Sequence, residues 1–295
     1  MCVSARFGNT GIHMQAPCSS FPGLALAVFL SMIGWDMNAA CGGNGFEPGT
    51  IDIMVEGKTR TYPYQLHRPA GLAKDEQAPL VVFLHGAGER GKNNTDQLRH
   101  FPERFVREKH LTRHDAYLLA VQCPKKEAWV NIDKRWEGEP DFQNPSPAIL
   151  AVAEAIRKIV KDERIDTSRI YLTGLSMGGF GSWDLAARHP EWFAAVVPIC
   201  GGGAAATADR LTGLPIWAFH GSSDEVVPER QSRVMIEAIR SKGGRPAYTV
   251  LPGVRHDSWH HAYGPEGAMS WMFSQVRPGA KPEFSDGGGG EDSRD

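Results

Sequence analysis

The sequence lacks a surplus of charge of either sign. Its 295 residues carry 32 Lys and Arg against 34 Asp and Glu, a formal net charge of −2, and no long basic block interrupts that balance. A nucleic-acid partner needs a concentrated basic face to displace phosphate counterions, so DNA and RNA are not expected partners. Cysteine is scarce: there are five, and neither their spacing nor the surrounding histidines follows a zinc pattern, so no metal is expected. No internal repeat is visible and no long hydrophobic lid segment is present. With 41% hydrophobic and 22% charged residues the chain does not have the composition of an intrinsically disordered protein. What is plentiful is Gly, with 33 residues, and Trp, with eight, which points to tight turns between packed elements rather than long coiled helices. The length suits one large α/β domain or two small ones.

The two ends read differently from the middle. Residues 21–35 (FPGLALAVFLSMIGW) are uncharged but shorter than the roughly 20 apolar residues of a comfortable membrane span. They resemble the core of a signal peptide, with Arg6 as a thin positive flank and Asn38-Ala39-Ala40 as small residues at a cleavage point. Met14 offers an alternative start that would remove Arg6. Cys41, directly after Ala39-Ala40, offers a second route, a lipobox-like site with a lipid anchor on Cys41, although Asn38 stands where a lipobox prefers Leu. The expected localisation is therefore exported: secreted, periplasmic or membrane-anchored. Residues 279–295, rich in Gly and acid, read as a disordered tail. One catalytic-sized domain, 41–278, is expected between a 1–40 leader and that tail. Cys2 and Cys18 leave with the leader. Cys123 and Cys200 end strands that the expected topology separates by two others, too far for a disulfide, so both are expected as core thiols.

Between the ends, short β-branched runs alternate with helical stretches. Residues 51–55 and 59–67 read as an opening hairpin. Runs at 80–84, 117–122, 169–173, 194–199, 216–219 and 247–251 are continuously apolar, as strands buried on both faces require. Ile149, Val152, Ala153, Ile156, Ile159 and Val160 fall on one helical face after a Ser146-Pro147 start. Further helices are expected over 176–188 and 229–242. Strand–helix alternation with right-handed crossovers gives a mostly parallel central sheet with helices on both faces and an N-terminal hairpin. Sites on such sheets lie beyond the carboxyl ends of the strands.

Those ends are where the reactive residues gather. The strand at 169–173 runs into Gly174-Leu175-Ser176-Met177-Gly178-Gly179, a G-x-S-x-G leading straight into a helix. A turn that sharp strains the serine backbone and needs glycine where the chain passes too close for a Cβ. A plain N-cap serine would not need those flanking glycines. A serine hydroxyl requires a base held by a carboxylate, in the chain order Ser, acid, His for this arrangement. Asp224, in the loop after 216–219, is the acid candidate, with Glu225 as its neighbouring rival. His256, first after the turn that follows 247–251, is the base. The adjacent His260 and His261 point apart and read as solvated or capping residues. Residues 85–91 (HGAGERG) bring small residues to a strand end, so the N–H groups of Ala87 and Met177 are the expected oxyanion donors, with Gly88 as second choice to Ala87. The segment lacks the ending of a P-loop. His85 and His220 each precede Gly at a strand end and read as structural hydrogen-bonders.

With these residues in that order, the chain resembles an α/β-hydrolase. More narrowly, residues 84–91, Gln122-Cys123-Pro124, 169–179 and 253–259 are similar to the exported esterases often labelled predicted peptidases, a group related to phospholipase/carboxylesterase and feruloyl-esterase-like enzymes. The resemblance spans roughly residues 50–276. It implies Ser176 as nucleophile, Asp224 as acid, His256 as base, Ala87 and Met177 as oxyanion hole, and no cofactor. Many relatives carry an additional N-terminal β-sandwich domain that is not visible here. The expected activity is hydrolysis of small or plant-cell-wall (feruloyl or acetyl) esters, the partner being a small-molecule or polysaccharide-linked ester. A serine peptidase of prolyl-oligopeptidase type and a non-catalytic binding protein on the same scaffold are the competing readings. Trp129 and Trp136, on the long connections over this face, and Trp259, after the base, suit a planar acyl group or a sugar ring, against ordinary packing roles. Trp136 and Trp259 are the substrate-binding candidates.

Overall fold

A two-residue reversal at Glu56-Gly57, both at positive φ (49° and 72°), folds β1 (Glu47–Val55) onto β2 (Lys58–His67). Such left-handed turns match the twist of the strands they join. The pair stays in register from Glu47 opposite Leu66 to Val55 opposite Lys58. A computed structural model describes residues 45–108, 111, 114–132 and 136–277 of the chain. The expected leader (1–40), Cys41 and the tail (279–295) lie outside the described residues.

Six more strands follow: β3 (Ala78–Leu84), β4 (Tyr117–Val121), β5 (Ile165–Leu175), β6 (Ala195–Ile199), β7 (Trp217–Gly221) and β8 (Ala247–Leu251). They form one eight-stranded sheet in the order β1-β2-β4-β3-β5-β6-β7-β8. The hairpin joins antiparallel through β2 and β4, and every pairing from β4 to β8 is parallel. This is the α/β-hydrolase architecture expected from the sequence. Side chains of the central strands alternate between two apolar layers. Leu80, Val82, Leu84, Tyr117, Leu119 and Val121 pack under α2 (Pro147–Asp162), α3 (Met177–Arg188) and α4 (Arg230–Ser241). Val81, Phe83, Leu118 and Ala120 pack on the opposite side with α1 (Phe101–Phe105) and α6 (Met269–Ser274), α5 (Trp259–Ala262) lying between them in sequence. A strand covered on both faces must be apolar at every position, and β3 and β4 are buried at every residue.

The start of α2 shows how local chemistry fixes an element. The Ser146 side chain accepts from the Ile149 N–H at 3.1 Å and donates to the Trp129 carbonyl at 2.8 Å, while Pro147 occupies the first turn, where its missing N–H costs nothing.

Two expectations need correction. The run 247–251 is not buried on both faces: β8 is an edge strand paired only with β7, and its Val250 is 40% exposed. Strand β5 begins at Ile165, four residues before the apolar run at 169, because Ala78 pairs with Ile165 across an irregularity in the ladder. The intervening polar residues are satisfied locally, Asp166 accepting from Ser168 and Arg169. Cys123 and Cys200 follow β4 and β6, with β3 and β5 between them, and both are free and buried. Burial pushes both thiols up, that of Cys200 to about 12. Among the described residues no helix is long and apolar enough to cross a membrane.

Candidate active site

Strand β5 reverses into α3 through Ser176, whose backbone sits at φ 57°, ψ −120°. A side-chain-bearing residue adopts this conformation only where its surroundings impose it. Here the Ser176 N–H is tied to the Ile199 carbonyl at 2.9 Å, and the Phe180 N–H already returns to the Ser176 carbonyl at 3.1 Å. The flanking glycines are steric necessities. A Cβ on Gly178 would stand 1.9 Å from the Leu84 carbonyl oxygen, and one on Gly174 would stand 2.4 Å from that of Gly178. Ser176 holds the N-cap position of α3 without capping it, since its side chain makes no bond to the helix. Its Oγ instead lies 2.8 Å from His256 Nε2.

His256 Nδ1 is 2.7 Å from Asp224 Oδ2. Because a carboxylate only accepts, Nδ1 carries the proton and Nε2 is left as the acceptor for the Ser176 hydroxyl. The Asp224 side chain is fully buried. Its Oδ1 accepts from the Val226 and Val227 N–H groups, both at 2.9 Å, and its Oδ2 also faces His220 Nε2 at 3.3 Å. Burial by itself raises this carboxyl's pKa. Hydrogen bonds from His220 and His256, then the Val227 N–H and the His256 charge, outweigh it and hold the group well below the usual carboxylate range. The neighbouring Glu225 points away into solvent and pairs with Arg255 at 3.0 Å. Of the two acids, only Asp224 bonds to His256 in the described structure.

The loop after β3 interlocks with this turn. Gly86 packs so closely on Leu175 that a Cβ would lie 2.9 Å from its side chain, while Gly178 sits against the carbonyls of Leu84 and His85. Ala87 begins a short 3-10 turn, Ala87–Glu89, and Met177 begins α3. Among the described residues neither N–H donates to a backbone carbonyl outside the helices and strands. Gly88 is exposed beside them.

His85 and His220 have structural bonds. The Cys123 N–H donates to His85 Nε2 at 2.9 Å, so Nδ1 carries the proton and donates to the Gly86 carbonyl at 2.6 Å. Burial of this ring pushes its pKa down to about 4. His220 contacts Ser232 Oγ at 2.7 Å and the Val227 carbonyl at 2.9 Å, and it backs the Asp224 carboxylate. Trp129 is a packing residue: it is fully buried, stands edge-on to His85 at 5.0 Å and donates to the His85 carbonyl at 2.9 Å. Trp136 faces Phe180 of α3 at 5.3 Å and lines a cleft of about 320 Å³ with Arg90, Glu127 and Val130. Trp259 stands edge-on to His256 at 5.7 Å and borders a cleft of about 500 Å³ that includes His256. His260 and His261 are exposed on α5. Cys200 Sγ, Asp224 and His256 bring potential metal-ligand atoms within 4.8 Å of one another. Both His256 nitrogens are engaged, however, and the Cys200 thiol donates to the His256 carbonyl at 3.6 Å. That donor set fits a proton relay better than a metal.

Three neighbours escaped the sequence reading. Gln122 Nε2 donates to the Glu89 carbonyl and to Asn93 Oδ1, while its Oε1 accepts from the Asn94 N–H, binding the loop after β3 to the end of β4. Glu89 and His100 contact each other beside it. Gln122 and Glu89 lay in strand-end segments, 117–122 and 85–91, whereas His100 had no positional signal.

The phospholipase/carboxylesterase family matches residues 72–263. The chain belongs to that family. It is also similar to a thermostable esterase of known structure, with 38% identity and a TM-score of 0.71 over 79% of this chain and 64% of that one. NocK of Nocardia uniformis subsp. tsuyamanensis, which carries the name of an esterase, is 29% identical over 60% of this chain and 48% of its own length. The bifunctional acetylxylan esterase/xylanase XynS20E of Neocallimastix patriciarum is 25% identical over 60% of this chain and 23% of its own. The chain thus spans about half or less of these two curated relatives.

Proposed function

We propose that the protein is a serine carboxylic ester hydrolase acting through an acyl-enzyme, without metal or cofactor. The observation that carries this reading is the unbroken relay from Asp224 through His256 to Ser176, with links of 2.7 and 2.8 Å. Ser176 Oγ attacks the ester carbonyl as His256 Nε2 takes its proton. Asp224 remains ionised, fixing the imidazole's tautomer and stabilising its charge. The carbonyl oxygen becomes negative, and the N–H groups of Ala87 and Met177 are the donors proposed to receive it. His256 then returns the proton to the departing alcohol, and water repeats the sequence to release the acid.

The proposed substrates are small or plant-cell-wall esters, feruloyl or acetyl, with Trp136 and Trp259 as flanking walls. The acetylxylan esterase named among the relatives supports the polysaccharide-linked alternative. Export through a signal peptide at residues 1–40, either to a free mature protein or, as the alternative, to one anchored by a lipid on Cys41, with 41–278 as one catalytic domain, completes the proposal.

The test is a panel of 4-nitrophenyl acyl esters, methyl ferulate, acetylated xylan and a prolyl-peptide amide, run with wild type and Ser176→Ala. Ester turnover that vanishes in the variant supports the reading. Turnover retained in Ser176→Ala removes the nucleophile assignment, and faster cleavage of the amide than of every ester makes the protein a peptidase. No turnover of any substrate favours a binding scaffold.

A further inference from the structure

Arg90 lines two clefts beside the loop that carries Ala87. One, of about 390 Å³, also has Lys92, Asp96, Pro124 and Lys125 in its wall. The other is the Trp136 cleft, which Arg90 shares with Lys126 and Glu127. Both clefts hold more cations than free carboxylates. Asp96 is paired with Arg99 at 2.9 Å and accepts from Asn93 at 2.9 Å, and Glu127 accepts from the Tyr62 hydroxyl at 2.7 Å and pairs with Arg60 at 3.4 Å. Among the described residues Arg90, Lys92, Lys125 and Lys126 form no ion pair. The chain as a whole has a net charge of −2, so this local surplus does not follow from its composition.

Unpaired lysines in water are common, and Arg90 is what distinguishes the place. It is partly buried, and its guanidinium is held in position: Nε donates to the Ala87 carbonyl at 2.9 Å and a second nitrogen, Nη1, donates to the Glu127 carbonyl at 3.2 Å. Both acceptors are neutral, so the full positive charge is left uncompensated. Nη2 has no hydrogen bond among the described residues. The charge is anchored to the residue whose N–H is the proposed oxyanion donor. Bond lengths then put an anion on Nη2 no more than about 15 Å from an oxygen accepting at that N–H. An ester of about ten bonds or fewer can reach both.

We propose that the cleft at Arg90, Lys92 and Lys125 is a subsite for a carboxylate carried by the ester, so that the preferred substrates are acidic esters. This rests on the esterase reading and deepens it by naming the substrate class. A carboxylate is the anion that suits the polysaccharide-linked alternative, since uronic-acid sugars carry one. Arg90 offers a directed bond, and the two lysines offer charge without fixed geometry. The subsite holds a part of the substrate remote from the reacting atoms, so it strengthens ground-state and transition-state binding alike and acts mainly on KM.

Arg90→Gln would also release the Ala87 turn, so the lysines carry the test. Wild type and the double variant Lys92→Gln, Lys125→Gln are compared for kcat and KM on two matched pairs. 4-Acetoxybenzoate against 4-acetoxybenzamide places the carboxylate on the alcohol side, and monomethyl adipate against methyl hexanoate places it on the acyl side. Comparing acidic-to-neutral ratios of kcat/KM between the two proteins cancels the intrinsic reactivity of each ester. In at least one pair the double variant is expected to lower that ratio roughly 3- to 30-fold, the product of two exposed ion pairs, with most of the change in KM. Raising NaCl to about 0.5 M should lower the wild-type ratio in the same direction. Ratios that change by less than about twofold in both pairs, a ratio insensitive to salt, or a change confined to kcat each overturn the subsite. A wild type that hydrolyses none of the four esters overturns the esterase reading and the subsite together, whereas an active wild type whose ratios survive in the double variant overturns the subsite alone.

Discussion

Ser176 stores backbone strain that can be measured by removing its side chain in two ways. At φ 57°, ψ −120° a Cβ is unfavourable by about 1 to 3 kcal/mol. Ser176→Ala keeps that Cβ and loses the 2.8 Å bond to His256 Nε2, a net loss of about 1 kcal/mol. His256 is partly exposed, so water can take over the freed acceptor. Ser176→Gly loses the same bond but releases the strain, offset by about 0.5 to 1 kcal/mol of extra backbone freedom in the unfolded chain. The glycine variant is therefore expected to be more stable than the alanine variant by about 1 kcal/mol, and close to wild type. Urea unfolding at equilibrium reads the difference, provided the slopes agree so that only the midpoint has moved. In a thermal scan the two variants should differ by about 2 to 4 °C. Both should lose ester turnover by about 10³-fold or more. A glycine variant less stable than the alanine variant would refute the strain, because the two proteins differ only in the Cβ that the conformation penalises.

Other substitutions isolate single contacts. Gly178→Ala places a Cβ 1.9 Å from the Leu84 carbonyl oxygen, whereas the corresponding position on Gly88 meets nothing within 4 Å. The first should cost about 3 kcal/mol or more and the second less than about 0.5 kcal/mol; similar unfolding midpoints for the two would show that the turn is not closed around Gly178. Asp224→Asn should lower kcat by about 10⁴-fold by favouring the wrong imidazole tautomer, while Glu225→Gln should leave kcat within about twofold. The reverse ranking would move the acid to Glu225. Acid should weaken the fold through His85, whose buried ring is pushed down to about 4 and so binds its proton less readily folded than unfolded. The unfolded state then gains protons first as pH falls from about 6.5 to about 4, at a cost of up to about 3 kcal/mol. His189, also pushed down to about 4 by burial and then by the charges of Arg157 and Arg188, acts in the same direction. Urea midpoints at pH 7.5 and 4.5 should diverge less in His85→Gln than in wild type, and equal divergence would remove His85 as a cause.

What could be read from the sequence was whatever the chain builds from residues close together. Buried parallel strands such as β3 and β4 must be apolar at every position, so they stand out as runs. The turn at Ser176 is equally local, since strand, glycines and helix fall within a dozen residues. Edge and irregular pairing broke that rule: β8 is apolar yet half open to solvent, and β5 starts at a paired Ile165 followed by polar residues that sit in the irregular stretch of its ladder. The acid had the same difficulty. Asp224 and Glu225 have the same chemistry one residue apart, and what separates them is that Asp224 turns inward to the Val226 and Val227 N–H groups while Glu225 turns out to Arg255.

The tryptophans and the Glu89–His100 pair show where such reading stops. Trp129 and Trp136 lie seven residues apart on one connection, and nothing in their spacing says that the first will donate to the His85 carbonyl while the second faces Phe180. Glu89 and His100 come together because the intervening turns, including Asn94 at φ 55°, and His100's own backbone at φ 68° bring a loop carboxylate back toward the start of α1. The parallel sheet brings strand ends together whatever follows them, so residues immediately after a strand can be assigned a place from chain order alone. Residues farther along the loops have no such constraint. Their positions follow from side-chain contacts such as Gln122 to the Glu89 carbonyl, which spacing along the chain does not reveal.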